Sequence, residues 1–271
     1  MDFLADMASL RFILAFGGLG LLLWLEWWGP FRVPVEGKPH HVATNLTIGG
    51  SNAVIVNLLL GGLLLAWSDR ADRAGWGLLH ELGLGPISKI AVSVVVLDLV
   101  FYVAHWANHH VPVLWRFHRA HHSDLDLDVT TALRFHIGEV LISTGIKVVA
   151  IPTLGISALG LVVFEMALLA AAQLQHSNLK LPEPVENWFR LLIVTPRMHW
   201  IHHSRHPREH NANFGTIFSG WDRLIGTYFM QVRQEEIRVG LDEYPSPEHV
   251  GLLWFYAMPV GAGCQRSPHG P

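Results

Sequence analysis

Residues 87–122 read ISKIAVSVVVLDLVFYVAHWANHHVPVLWRFHRAHH, an apolar run that is joined directly to a polar, histidine-rich segment. The apolar part, 87–104, contains only Lys89 and Asp98 as charged residues, and its length is close to the roughly 20 residues that a membrane-spanning helix needs. Because lipid offers no hydrogen bonds to the backbone, non-alternating runs of this kind predict helices. Three more apolar regions lie at 12–28, 48–67 and 140–172.

The last of these regions is too long for one ordinary span, and Pro152 and Gly155 interrupt it, so it predicts a helical hairpin. The run 12–28 follows no basic cluster and precedes no cleavage pattern, which predicts a retained helix rather than a signal peptide. We therefore predict an all-α, polytopic integral membrane bundle with about four membrane segments, one of them a hairpin, and a histidine-rich helical cap. Residues 1–258 are predicted to form a single domain, and residues 259–271 a disordered tail.

The composition excludes several classes of protein. Hydrophobic residues make up 51% of the 271 residues and charged residues 15%, where soluble domains have about 25% charged residues. The single cysteine, Cys264, excludes an internal disulfide framework. With 19 basic and 22 acidic residues the chain has no net positive field, so no nucleic-acid partner is predicted.

A hairpin at 140–172 places the two polar segments, 105–139 and 173–258, on the same side of the membrane. These segments contain eleven arginine and lysine residues, whereas the loop after the second apolar run contains two, Arg70 and Arg73. The positive-inside rule therefore predicts that the histidine-rich side is cytoplasmic, in a bacterial inner membrane or the endoplasmic reticulum.

Eleven of the 18 histidines fall in two windows, 105–122 and 199–210. Residues three and four apart lie on one face of a helix, so each cluster directs its imidazoles the same way. The pattern R-x-H-x-x-H-H-S occurs at 116–123 and again at 197–204, as one motif used twice. The clustered histidines are His105, His109, His118, His121, His122, His199, His202 and His203.

The remaining histidines are predicted not to be ligands. His40, His41, His80, His110, His249 and His269 are interpreted as surface or satisfied core residues, and His206 and His210 as loop residues after the second cluster.

Asp98, Tyr102, His105 and His109 form one helical stripe. An ionisable residue in a membrane helix is a functional candidate by default, and a histidine ligand usually donates its second N–H to a carboxylate or carbonyl. We therefore expect Asp98 to support one of the histidines, with Tyr102 beside it.

Imidazole binds zinc, copper, iron and nickel, so the ligand type alone leaves the metal open. Eight histidines exceed the three or four ligands of one zinc site, and two metals account for them. A nearly all-histidine pair of sites beside lipid suggests oxygen activation. Hydrolysis is the competing chemistry, but the chain has neither H-E-x-x-H nor G-x-S-x-G.

The segments HWANH, FHRAHHS, MHWIHHS and NANFGTIFSGWDRLIGTYF resemble the membrane-bound sterol desaturase and fatty acid hydroxylase superfamily over residues 95–232. TTALRFH at 130–136 and QHSN near 175 are similar to the alkylglycerol monooxygenase branch. The resemblance implies a non-haem di-iron enzyme that uses O2 and two electrons to hydroxylate or desaturate a C–H bond of a sterol, fatty acyl or ether lipid. It also implies that the eight clustered histidines are iron ligands.

Six further positions are interpreted through the resemblance. His176 matches an additional ligand position, and His136 is a weaker match because its segment departs from the H-P-x-E setting of some relatives. Asn213 and Asp222 match the closing motif and are expected to orient the cap rather than touch metal. Trp221 and Tyr228 are expected to be core or interface aromatics.

The arms of 140–172, including Phe164, are expected to form the walls of an apolar substrate tunnel. Glu165 in this segment is expected either to make a buried polar contact, which we favour, or to lie near the site. The sequence has no H-P-G-G haem motif, cysteine cluster or dinucleotide fingerprint. A separate electron donor of cytochrome b5, ferredoxin or reductase type is therefore expected. The alternative functions are a histidine-rich membrane protein that binds or transports metal, and a membrane scaffold without enzyme activity.

Overall fold

Helices form most of the chain, and they begin and end at its prolines, glycines and small polar residues. The computed structural model of the protein describes residues 10–60 and 62–261, and within these ranges it contains no β-strand, only two isolated bridges. The α-helices are α1 (Leu10–Trp28), α2 (Lys38–Leu60), α3 (Leu63–Arg73), α4 (Leu78–Glu81), α5 (Pro86–His110), α6 (Pro112–His122), α7 (Ile137–Leu154), α8 (Ala158–His176), α9 (Glu183–Phe189), α10 (Pro196–His202), α11 (Pro207–His210), α12 (Gly220–Ile225) and α13 (Leu252–Ala257). Residues Ile13–Gly17 of α1 have π-helical geometry.

Among the residues that the structure describes, five helices have the length and apolar composition needed to cross a membrane: α1, α2, α5, α7 and α8. The predicted all-α membrane bundle is confirmed, and the protein is a multi-pass membrane protein. The hairpin prediction is also right, because α7 and α8 are separated only by residues 155–157. Gly155 makes the turn with φ of 76°, and the Ser157 hydroxyl caps α8 by accepting from the Gly160 N–H.

The second apolar run, 48–67, was predicted to be one continuous membrane segment, and the structure differs from this prediction. Gly62 has φ of 74° and lies between α2 and α3, so the run is divided into two helices. α2 also begins earlier, at Lys38, in a stretch too polar to be recognised as membrane-spanning. Its buried His41 and Asn45 are satisfied by hydrogen bonds to residues 124–130, which makes the polar start of this helix stable.

The main hydrophobic core lies among α3, α5, α7 and α8, with Leu97, Ile151 and Phe164 fully buried in it. A second core packs α13 against α2 and α6 through Ile48, Ala120 and Phe255. These two cores hold the cap ends of α5, α7 and α8 close to α6, where the clustered histidines lie.

The boundaries of the predicted domain are only partly covered. A 3₁₀ helix, Met258–Val260, continues beyond the predicted boundary at residue 258, and Pro259 is buried. The rest of the predicted tail, 262–271, and the first nine residues lie outside the described residues.

Candidate metal centre

Four helices deliver histidines to one place. His105 and His109 lie in the last turns of α5, and His176 is the last residue of α8. The two copies of the repeated motif lie on α6 and at the end of α10, which both begin with proline at the first helical positions. Short helices that begin at defined prolines fix the direction of the imidazoles that follow.

Five histidines form one group of converging ring nitrogens, all within 4.8 Å of one another. All five are buried in the folded chain. We call this set the five-histidine group; it consists of His105, His109, His118, His122 and His202.

The other four form a second group with the same convergence and the same burial, the four-histidine group: His121, His176, His199 and His203. The two groups adjoin, because the rings of His122 and His203 stack with centroids 4.2 Å apart. The repeated motif is thus divided between the groups. His118, His122 and His202 contribute to one, and His121, His199 and His203 to the other.

Five of the nine rings are oriented by a hydrogen bond from Nδ1, which leaves Nε2 for the interior of the group. Backbone carbonyls accept four of these bonds, and a carboxylate accepts the fifth. The pairs are His105 with Phe214 O (2.9 Å), His121 with Arg134 O (3.1 Å), His176 with Ala172 O (2.7 Å), His202 with Ala212 O (2.8 Å) and His118 with Glu139 Oε1 (2.7 Å).

Within the groups, ligand nitrogens approach each other as they would around shared ions. The Nε2 atoms of His118 and His122 are 3.1 Å apart, and those of His176 and His199 are 2.9 Å apart. Two nitrogens bound at right angles to one ion, each at about 2.1 Å, would lie about 3 Å apart. In addition, both ring nitrogens of His109 and Nε2 of His202 are buried without a hydrogen-bond partner. Such orphaned nitrogens are costly unless a metal satisfies them.

Five of these rings, on α6 and at the end of α10, favour the neutral form that binds metal. Burial, followed by repulsion from neighbouring imidazoles, lowers the pKa of each well below the usual histidine value. These residues are His121, His122, His199, His202 and His203. The donor set therefore fits two metal ions, one in each group.

His136 lies apart from both groups. Its Nδ1 accepts a hydrogen bond from the Gly138 N–H at 3.0 Å and so caps the start of α7. Its ring contacts Phe117, Phe255 and Tyr256 rather than another imidazole. His136, the weaker of the two additional matches to ligand positions, is therefore an N-capping residue in this structure, because helix α7 begins directly after it.

Asp98 does not support a histidine, in contrast to the expectation from its helical stripe. Its two oxygens accept four hydrogen bonds from one segment of the cap: Thr216 Oγ1 (2.6 Å), Ile217 N (2.9 Å), Phe218 N (3.1 Å) and Trp221 Nε1 (2.8 Å). The Tyr102 hydroxyl lies 2.7 Å from that of Thr227. Asp98 and Tyr102 of α5 thus bind the segment 216–227. The sequence alone does not show that this segment lies next to α5.

Asn213 and Asp222 lie behind the histidines. Asn213 has φ of 56° and accepts from Phe229 N at 2.9 Å while donating to Met198 O. Asp222 accepts from the N–H groups of Phe214 and Gly215 at 2.7 and 2.9 Å. Since Phe214 O receives the His105 bond, these contacts fix a carbonyl that orients a candidate ligand. Neither residue belongs to a group of converging nitrogens.

Trp221 and Tyr228 are placed as structural aromatics: Trp221 donates to Asp98, and the Arg223 guanidinium lies 4.3 Å from the ring centroid of Tyr228.

Two residues near the groups were missed from the sequence. Glu139 forms a hydrogen bond with His118. An acidic residue at the start of an apolar membrane helix was the sequence feature that could have identified it as a functional candidate. The buried His210 ring lies 4.7 Å from His109 and 4.6 Å from His122 by centroids, although it joins neither group. His41, by contrast, is a satisfied core residue as expected, placed between Asp124 (2.8 Å) and Asp128 (3.1 Å).

A cavity of about 470 Å³ begins at the histidines and continues between α5, α7 and α8. His105 and His118 of one group and His121, His176 and His199 of the other line it. The expected tunnel walls are thus provided by α7 and α8. Phe164 is an exception, because it packs in the core against Phe101, while Glu165 faces the cavity.

The fatty acid hydroxylase family model matches residues 90–227, just over half of the chain, and this interval contains all nine converging histidines. The chain belongs to the fatty acid hydroxylase family. This agrees with the resemblance found in the histidine motifs. No solved structure matches this fatty acid hydroxylase family protein.

Relatives of this family member include lipid-modifying proteins. It is 30% identical to the ornithine lipid hydroxylase OlsE of Rhizobium tropici over 56% of this chain and 45% of that protein. It is 25% identical to cholesterol 25-hydroxylase of Rattus norvegicus over 52% and 47%, and 28% identical to alkylglycerol monooxygenase of Homo sapiens over 54% and 31%. The match therefore spans less than half the length of each of these relatives.

Proposed function

We propose that this protein is a membrane-bound di-iron oxidoreductase that uses O2 and two electrons to oxidise a C–H bond of a lipid. The observation that carries the proposal is the cavity, which joins both histidine groups to a channel between membrane helices. A metal pair next to a largely apolar cavity between membrane helices suits a substrate that is itself apolar at the reacting carbon.

The residues present fit two iron ions, one held by the five-histidine group and one by the four-histidine group. When bound, the two irons would supply the activation of O2 and the electron transfer that carbon oxidation requires. Glu139 orients His118, and four backbone carbonyls orient the rings of His105, His121, His176 and His202. This support keeps the ligand nitrogens at fixed positions when substrate enters.

The cavity walls hold the substrate and exclude water. Leu168, Leu169 and Ala172 on α8 line the cavity with Phe101 on α5 and Val140 on α7. An acyl chain or sterol ring system matches these walls, and exclusion of water protects the oxidising step from side reactions. The names of the relatives, two hydroxylases and a monooxygenase, favour hydroxylation over desaturation.

We further propose that the metal centre lies on the cytoplasmic side and receives electrons from a separate cytochrome b5, ferredoxin or reductase. The arginine-rich segments 105–139 and 173–258 support this orientation through the positive-inside rule. The centre lies at the ends of α5 and α8 that lead into these segments, and a donor docked on the cap would be close to it.

The test combines metal analysis with a lipid product assay. The protein is purified without oxygen, its iron and zinc are counted, and it is incubated with membrane lipids, O2 and a competent reductase. About two irons per chain and an oxygenated lipid that carries label from ¹⁸O2 support the proposal. Zinc as the only metal, with no O2-dependent product, would instead support the alternative of a metal-binding or metal-transport protein.

A further inference from the structure

Three charged side chains line the cavity away from the histidines, each from a different membrane helix: Arg11 on α1, Lys147 on α7 and Glu165 on α8. Lys147 Nζ donates to Glu165 Oε1 at 2.9 Å, and an Arg11 guanidinium nitrogen donates to Glu165 Oε2 at 2.9 Å. We call these residues the charged triad. One carboxylate between two cations leaves the triad with a net charge of +1.

The triad is an expensive arrangement within membrane helices. Ionisable groups at membrane depth are energetically costly and usually face a cavity with a function. One cation would be enough to neutralise Glu165. In the described part of the chain Glu165 is the only hydrogen-bond acceptor of either cation, although a lysine carries three N–H donors and an arginine five. Donors of both residues therefore remain for a ligand in the cavity.

The triad lies at a fixed distance from the metal centre. Glu165 and His176 are both on α8, eleven residues apart, which corresponds to about 16 Å along a helix. The side chains of α8 that line the cavity between them are mainly apolar: Leu168, Leu169 and Ala172, with Gln175 beside His176. The cavity thus presents cations, then an apolar stretch, and then the histidines.

We propose that the charged triad binds an anionic oxygen group of the lipid substrate, a carboxylate or a phosphate, and so sets which carbon reaches the metal centre. Arg11 and Lys147 supply the charge-assisted hydrogen bonds, and Glu165 holds both cations in place. The oxidised carbon then lies about 16 Å from the anionic group, because Glu165, which holds the two cations, and the candidate ligand His176 are about 16 Å apart along α8. This inference rests on the proposed function, in which the cavity is the substrate site.

The test measures binding to metal-free protein, so its result does not depend on the metal or on turnover. The purified full-length chain in detergent is dialysed against labelled palmitate, hexadecyl phosphate or hexadecanol. The wild type is expected to bind at least one of the two anions about tenfold more tightly than hexadecanol, as a charged hydrogen bond allows. The anion that binds more tightly identifies a carboxylate or a phosphate as the preferred group.

Variants assign this preference to the triad. Lys147→Gln and Arg11→Gln are each expected to weaken binding of the anion about tenfold and to leave hexadecanol unchanged, while Lys147→Arg retains the wild-type preference. The matched control is Arg73→Gln, which removes an exposed cation paired with Asp69 outside the cavity. Glu165→Gln removes a negative charge but keeps an acceptor oxygen for the cations, so the net charge of the triad becomes +2 and the anion is expected to bind at least as tightly as in the wild type.

Equal binding of all three probes by the wild type would overturn the proposal, as would variants that weaken all three probes equally. Thermal melting of each variant identifies any that fails to fold. The binding data of the triad variants that do fold then test the proposal. Failure of the di-iron proposal is seen separately, in the metal count and the ¹⁸O product, since neither measurement enters the binding assay.

Discussion

His118 Nδ1 lies 2.7 Å from Glu139 Oε1, and this carboxylate is the only acidic group that orients a histidine of either group in the described part of the chain. Asn108 Nδ2 donates to the same oxygen at 3.1 Å. The bond fixes the ring so that Nε2 points to the other four members of the five-histidine group. It connects the start of α7 with the end of α6, and therefore the membrane bundle with the cap.

Glu139→Gln is expected to weaken metal binding by about 10- to 100-fold, as is usual when the partner of a ligating histidine is changed. The effect should be confined to the ion of the five-histidine group. Competition with a chelator, followed by metal analysis, measures it. Glu183→Gln, which changes an exposed glutamate of α9, serves as the control. Unchanged affinity in Glu139→Gln would show that the carboxylate does not support the centre.

His202→Ala and His203→Ala remove neighbouring histidines that belong to different groups. Each variant is expected to lose about one metal ion per chain, and the two losses should affect different sites, because each variant removes a donor from only one of the two groups. Metal analysis with spectroscopy of the remaining ion measures this. His40→Ala, at an exposed histidine, should keep both ions. Loss of the same ion in both variants would contradict the division into two groups.

Asp98→Ala should destabilise the protein without removing metal from the folded fraction. Four donors of residues 216–221 lose their acceptor in a buried position, which costs at least about 3 kcal/mol in total. Asp98→Asn, which keeps one acceptor oxygen, should cost less. Thermal melting in detergent and metal counted per folded chain are the measurements. Metal loss from well-folded Asp98→Asn would restore the expectation that this residue supports a ligand.

His136→Ala is expected to keep its metal content and to lose about 1 kcal/mol of stability, because the residue caps α7. His136→Asn, which retains a capping acceptor, should recover most of that stability. The comparison variant is His121→Ala, which should lose metal from the four-histidine group. A metal loss in His136→Ala equal to that of His121→Ala would identify His136 as a ligand.

Much of the metal centre was predictable because its pattern is local. Histidines three and four residues apart share a helix face regardless of the rest of the fold, so the clusters on α5, α6 and α10 were evident from their spacing. His176 required the family resemblance, since it stands alone in its helix. The apolar runs predicted the membrane helices for the same reason, except where Gly62 divides one run and polar residues begin α2.

Asp98 and Glu139 show where this reasoning ends. Periodicity correctly placed Asp98 on the stripe of His105 and His109. It gave no information about segment 216–221, which lies more than 100 residues away and donates the four hydrogen bonds that the Asp98 carboxylate accepts. Glu139, in turn, lies 21 residues from His118 and in a different helix. Both partnerships depend on how helices pack.

The sequence by itself determined the helical membrane architecture and eight of the nine histidines that converge in the structure, since each follows from residue type and short-range spacing. Only the tertiary structure decided how nine histidines divide between two groups, which carbonyls and carboxylate orient them, and how the cavity connects them to the charged triad. These features join residues that are distant in the chain, and their positions are set by packing between helices, which local spacing does not encode.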